Sequence, residues 1–116
     1  MNHSSENACM KDEEIAAMMR ALGHPVRLDI LRIIAERQRD CCCADVTGCL
    51  SLAQSTVSQH IKVLVEAGLI ERRPEGTKNC YVIVSAKFAA LGSAFGAMAG
   101  ALVELSSRNP HQENKG

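Results

Sequence analysis

Tryptophan is absent from the chain, and the remaining aromatic residues are one Tyr and two Phe. A core without aromatic bulk must be filled by Leu, Ile, Val, Ala and Met, which suits packed helices better than aromatic-rich sheets. Net charge is missing too, because 13 basic side chains are balanced by 13 acidic ones. Composition alone therefore gives no support for polyanion binding, and any basic surface must arise from local clustering. The first residues, MNHSSENACMKDEE, show no charged-then-apolar leader, so the expectation is a reducing, cytoplasmic setting. The six cysteines are then thiols. Three of them stand side by side at Cys41, Cys42 and Cys43, a spacing unsuited to a disulfide framework and better suited to reactivity or metal binding.

What is present is helical periodicity. With 116 residues the chain can bury one core but not two. Residues 1–11 are polar and aperiodic and read as an N-terminal arm carrying Cys9, residues 12–107 as the folded domain, and residues 108–116 as a polar tail. Acidic Asp12, Glu13 and Glu14 suit a first helical turn, Ile15, Met18, Met19 and Leu22 make an apolar stripe, and Gly23 stops it. Pro25 suits the first turn of a second helix, with Leu28, Leu31, Ile34 and Ala35 expected on its core face. A short third helix is expected from about Cys43 to Leu50 and a fourth from Ser55 to Ala67, closed by Gly68. Two helices joined by a few residues make a helix-turn-helix. Leu69–Arg73 and Tyr81–Val84 then read as strands around the turn-forming residues 74–79, and a last helix runs from Ala86 to Ser107. The expected class is mainly α with a small β-hairpin, in a winged helix-turn-helix order.

The fourth helix carries the most informative pattern. Val57, Ile61, Leu64 and Val65 recur at helical spacing, leaving Gln54, Ser55, Thr56, Ser58, Gln59 and Lys62 toward solvent or a partner. Hydroxyls and amides can pair with base edges or phosphates, and Arg72, Arg73 and Lys78 on the hairpin can add phosphate contacts. The same polar cluster also suits an ordinary solvated helix.

The stretch LAQSTVSQHIKVLVEAGLIERRPEGTKNCYVI, preceded by ALGHPVRLDILRIIAER, resembles the ArsR/SmtB family of metal-responsive repressors, over roughly residues 13–105. The resemblance implies a homodimer, apo on double-stranded operator DNA, with the helix from Ser55 in the major groove and the hairpin near the backbone or minor groove. His60, which completes the SQH element, is either a phosphate contact or, more in keeping with its place, a packed surface histidine. The family pairs through its first and last helices, so Met18, Met19, Phe95, Met98 and Leu102 become interface candidates. Gly92, Gly96 and Gly100, four apart, share one face that admits a close neighbour. In a membrane that spacing would serve helix association, but so many Gly and Ala residues make the segment weakly apolar, and no membrane role is expected.

The segment DCCCADVTGCL lies where some members of the family carry a CVCDLC-type site for arsenite or antimonite. It departs from that motif: Cys42 matches the first cysteine, but Ala44 and Thr47 fall where the second and third would stand, so the family's ligand set does not carry over. Soft ions select thiolates, and the expected ligands are Cys42 and Cys43, with Cys41 competing and Cys9 reaching over from the arm. Cys80 is an alternative third ligand. Consecutive side chains diverge by about 100° in a regular helix, so a Cys42–Cys43 site is expected to need unwinding. Cys49, about 10 Å along a helix from Cys42, reads as a small core residue. A zinc site on the last helix is disfavoured, since only Glu104 is available and His111 lies beyond Pro110. Cadmium, lead, or an oxidant or persulfide acting on the thiols are alternative signals. An enzyme is not expected: no phosphate-cradling loop or CxxC element accompanies the cysteines.

Overall fold

The computed structural model describes residues 10–37 and 42–108. Helix α1 (Asp12–Leu22) opens with three acidic residues, and Glu14 Oε1 accepts the Lys11 N–H at 3.1 Å, satisfying one amide the helix cannot. Helix α2 (Pro25–Arg37) follows after a break at Gly23 and His24. A short α3 (Cys43–Cys49) and α4 (Gln54–Glu66) form the helix-turn-helix pair. Gly68 ends α4 at φ 78°, where a Cβ would be strained.

Strands β1 (Ile70–Glu75) and β2 (Lys78–Ile83) pair antiparallel, with Ile70 opposite Ile83 and Glu75 opposite Lys78. The turn is only Gly76-Thr77, and Gly76 supplies the positive φ of 65° that a two-residue hairpin turn requires. The hairpin is therefore longer and tighter than the expected strands around a six-residue loop. Pro74 lies inside β1 because that strand is an edge, where a missing N–H costs no ladder bond. Helix α5 (Ser85–Ser107) completes the chain. Helices followed by a hairpin wing and a closing helix make this a winged helix-turn-helix.

One core holds these elements together. Met18 and Ala21 of α1, Ile30, Leu31 and Ile34 of α2, and Val46 of α3 meet Val57, Ile61 and Leu64 of α4, with Leu69, Ile70 and Leu91 closing it. Two expectations need correcting here. In α2 the buried stripe is Ile30, Leu31 and Ile34, while Leu28 and Ala35 are exposed; α2 has two candidate apolar faces, and packing against α4 selects the one with the β-branched residues. Cys49, the last residue of α3, is exposed, not core.

Of the 23 residues of α5, only Leu91 is buried. Phe95, Met98 and Leu102 are 44%, 41% and 59% exposed, and Val103 and Leu105 are exposed beside them. A Cβ added at Gly92, Gly96 or Gly100 would meet nothing within 4 Å. By length and composition α5 could cross a membrane.

Candidate nucleic-acid interface and thiol site

Because Val57, Ile61 and Leu64 are drawn into the core, the opposite face of α4 is left to its polar residues. Gln54, Ser55, Thr56, Ser58, Gln59 and Lys62 are all exposed. Arg72, Arg73 and Lys78 are exposed on the wing, and Arg73 is paired with Glu71 at 3.2 Å. His60 is half-buried, its ring centroid 4.5 Å from that of His24, so it packs against the α1–α2 corner. Burial first, then the charges of His24 and Arg27, hold its imidazole below the usual range.

An open cleft of about 590 Å³ lies between the start of α3, α4 and the wing. Two thiols, Cys42 and Cys43, form one wall; Gln54, Ser58 and Lys62 of α4 form another; Arg72, Lys78 and Tyr81 of the wing form the third. The structure thus brings the expected thiols and several of the expected DNA-reading groups to a single concavity. Within it Cys43 Sγ lies 3.5 Å from Ser58 Oγ and 4.0 Å from Thr47 Oγ1. Thr47 is itself anchored, its hydroxyl donating to the Cys43 carbonyl at 2.9 Å.

Cys42 immediately precedes α3, with extended backbone at φ −100° and ψ 174°. The expected unwinding is therefore unnecessary, since Cys42 already stands outside the helix. Its N–H donates to Asp45 Oδ2 at 2.9 Å and its thiol to the same oxygen at 3.3 Å. Those two bonds, the amide first, hold the Asp45 carboxyl below its ordinary range against the opposing effect of burial, with Arg37 at 3.8 Å and Lys78 assisting. The Tyr81 phenol is pushed up, first by burial and then by the negative charge available at Cys43. Asp45 and Tyr81 escaped sequence reasoning. A carboxylate three residues after a helix-start candidate was a visible signal for the first; the Arg72–Tyr81 pairing that sets the second depends on register.

Cys9 and Cys41 lie outside the described residues, as does His111. Among the described residues no three His, Cys, Asp or Glu side chains approach closely enough to hold a metal ion. Met18, expected at a dimer contact, is instead 3% exposed within the protomer core, because α1 turns that side chain toward α2 and α4. Met19, half-buried, and the α5 residues remain at the surface.

A helix-turn-helix domain profile matches residues 22–73. An uncharacterized HTH-type transcriptional regulator of Methanocaldococcus jannaschii, MJ1325, is 40% identical over 74 residues, covering 64% of this chain and 82% of that protein. The arsenical resistance operon repressor of Staphylococcus xylosus is 31% identical over 72 residues, 62% of this chain and 67% of its own length. The chain belongs to the ArsR/SmtB family. That family is one of DNA-binding transcription regulators, and the chain is a transcriptional repressor of this type. The solution structure of Mb0332 from Mycobacterium bovis, described as a homodimeric winged helix-turn-helix DNA-binding domain of a possible ArsR-family regulator, is 26% identical with a TM-score of 0.61, covering 82% of this chain and 92% of that one.

Proposed function

We propose that this chain is a cytoplasmic, homodimeric repressor that holds operator DNA in its apo form and lets go when trivalent arsenic or antimony binds a thiolate site built on Cys42 and Cys43. The observation that carries the reading is the shared cleft: the thiols line the same concavity as Gln54, Ser58, Lys62, Arg72 and Lys78, and Cys43 Sγ touches Ser58 Oγ at 3.5 Å. Ser55, Thr56 and Gln59 extend the reading edge on α4, and Arg73 the phosphate-contacting rim of the wing. An ion at Cys43 must displace or reorient Ser58, so sensing and reading are coupled through one contact. Coupling of about 1–3 kcal/mol, or roughly 5–150-fold in affinity, suffices to empty an operator.

The arsenical specificity draws support from the name of the Staphylococcus xylosus relative and from the preference of soft ions for sulfur. Cys41 and Cys9 are further candidate ligands. The homodimer draws support from the M. bovis neighbour and from α5, whose exposed Phe95, Met98 and Leu102 beside a glycine face form an apolar patch of the kind that marks a protein contact. Met19 on α1 borders it.

Fluorescence anisotropy of labelled operator DNA tests the reading. Cys42→Ser and Cys43→Ser are each expected to bind DNA as the parent does and to ignore arsenite. If either variant is released by arsenite like the parent, the assignment is wrong. Release by a sulfide-derived oxidant but not by arsenite would move the signal to thiol oxidation.

A further inference from the structure

A second cleft, of about 370 Å³, opens where α1, α2 and α4 meet. It uses a different face of α4 from the thiol cleft, and its described lining holds no cysteine. Arg20 of α1, Arg27 of α2 and Glu66 of α4 line it, and Ala17, Val63 and Ala67 supply apolar surface. Arg20 and Glu66 are exposed and Arg27 is half-buried, yet among the described residues none of these three charges is ion-paired. The Arg27 Nε is shielded from solvent and has no hydrogen-bond partner among the described residues. A buried donor without an acceptor is costly, the more so on a cation. Because that N–H is closed even to water, an acceptor reaches it only when the guanidinium turns into the cleft. Its neighbours favour such a turn. The Arg27 charge is felt by His60, whose ring packs 4.5 Å from that of His24; after burial and His24, it helps hold the His60 imidazole below its usual range.

We propose that this cleft binds a free α-amino acid with a small apolar side chain. The ligand's carboxylate takes the two guanidiniums, offering Arg27 two oxygens in one plane for its Nε–H and a terminal N–H. The ligand's ammonium takes Glu66, and its side chain lies on Ala17, Val63 and Ala67. A simple carboxylate would bring a second negative charge beside Glu66, and a simple amine would bring a third cation beside the arginines. The zwitterion is the small ligand whose charges all find partners. Occupancy ties α1 and α2 to α4, draws the Arg27 charge away from His60 and places a negative charge nearby. His60 follows Gln59 in the reading helix, so the ligand acts on that helix without involving Cys42 or Cys43.

Imidazole NMR titrations of the reduced full-length protein test the proposal, with L-valine as the probe and His60→Gln to assign the signal. Saturating L-valine should raise the midpoint of the His60 titration. Arg27→Gln and Glu66→Gln should each bind L-valine roughly tenfold more weakly than the parent, or worse. Isovalerate, which lacks the ammonium, and isobutylamine, which lacks the carboxylate, should show losses of the same order. An unmoved His60 midpoint overturns the proposal, as does equal binding of L-valine to the parent and Glu66→Gln. Isovalerate binding as tightly as L-valine would reduce the cleft to a general anion site and overturns the proposal too. If circular dichroism shows Arg27→Gln unfolded, Glu66→Gln decides, because Glu66 is exposed and no ion pair among the described residues depends on it.

Discussion

Removing Arg72 tests whether the wing and the cleft face DNA. Arg72 and Lys78 are exposed, line the cleft with Lys62, and carry no ion pair among the described residues, whereas Arg73 is already engaged by Glu71 at 3.2 Å. In a dimer, Arg72→Gln deletes two phosphate contacts. At a slope of roughly 0.9 per neutralised phosphate, the plot of log affinity against log salt should flatten by about 1.8. Between 50 and 200 mM salt that difference amounts to about tenfold, so the variant's deficit should be about ten times larger at the lower concentration. The loss should be uniform across operator sequences, since phosphate contacts position without specifying. Arg73→Gln should flatten the slope less, because Glu71 already offsets its charge. Anisotropy titrations at four salt concentrations give the slopes directly. An unchanged slope for Arg72→Gln would place the wing away from the backbone and refute the reasoning.

His60 resists protonation in the folded protein, so below its ordinary value of about 6.5 the unfolded chain binds the proton more readily, and stability must fall as pH drops from there through the lower folded value. His60→Gln should flatten that decline between pH 7.5 and 5.5 in urea melts; an equal decline would implicate other groups. Leu64 is fully buried where α4 meets the core, and Leu64→Ala should cost about 2–5 kcal/mol by urea denaturation; a loss below about 1 kcal/mol would mean the site collapses around the cavity. A Cβ added at Gly96 meets nothing within 4 Å in the protomer, so with Gly96→Ile the fold should survive while self-association weakens at least tenfold in sedimentation equilibrium. Unchanged self-association would move the interface off this face of α5.

The local signals that fixed the helices were strong because each had a single physical reading. Three acids before an apolar stripe, Pro25 in a first turn, and Gly68 in a left-handed cap all sit where the sequence indicated. The polar face of α4 was equally legible, since its apolar residues admit only one inward orientation. Failures arose where two answers were locally equal. Helix α2 carries apolar residues on two faces, and only packing chooses Ile30 over Leu28. Met18 and Met19 are adjacent, and which of them turns inward depends on where α2 and α4 lie. Cys49 is small and apolar, but it is the last residue of α3 and lies exposed, while Val46 in the middle of the helix is buried. Cys80 could be raised from sequence only as an alternative partner for Cys42, because its place opposite that residue depends on the hairpin register, and a one-residue slip would have turned it to the other face.

The closeness of Cys43 to Ser58 bears on how quickly such a switch responds. If a duplex fills the cleft, thiols on its wall are shielded for as long as the complex lasts, and an incoming metalloid meets them only on molecules that have momentarily dissociated. The lag before transcription begins is then bounded by the residence time on the promoter, while the supply of toxic ion governs how many molecules are subsequently kept from rebinding. Tight operators should answer late and loose ones early, even when served by the same pool of protein.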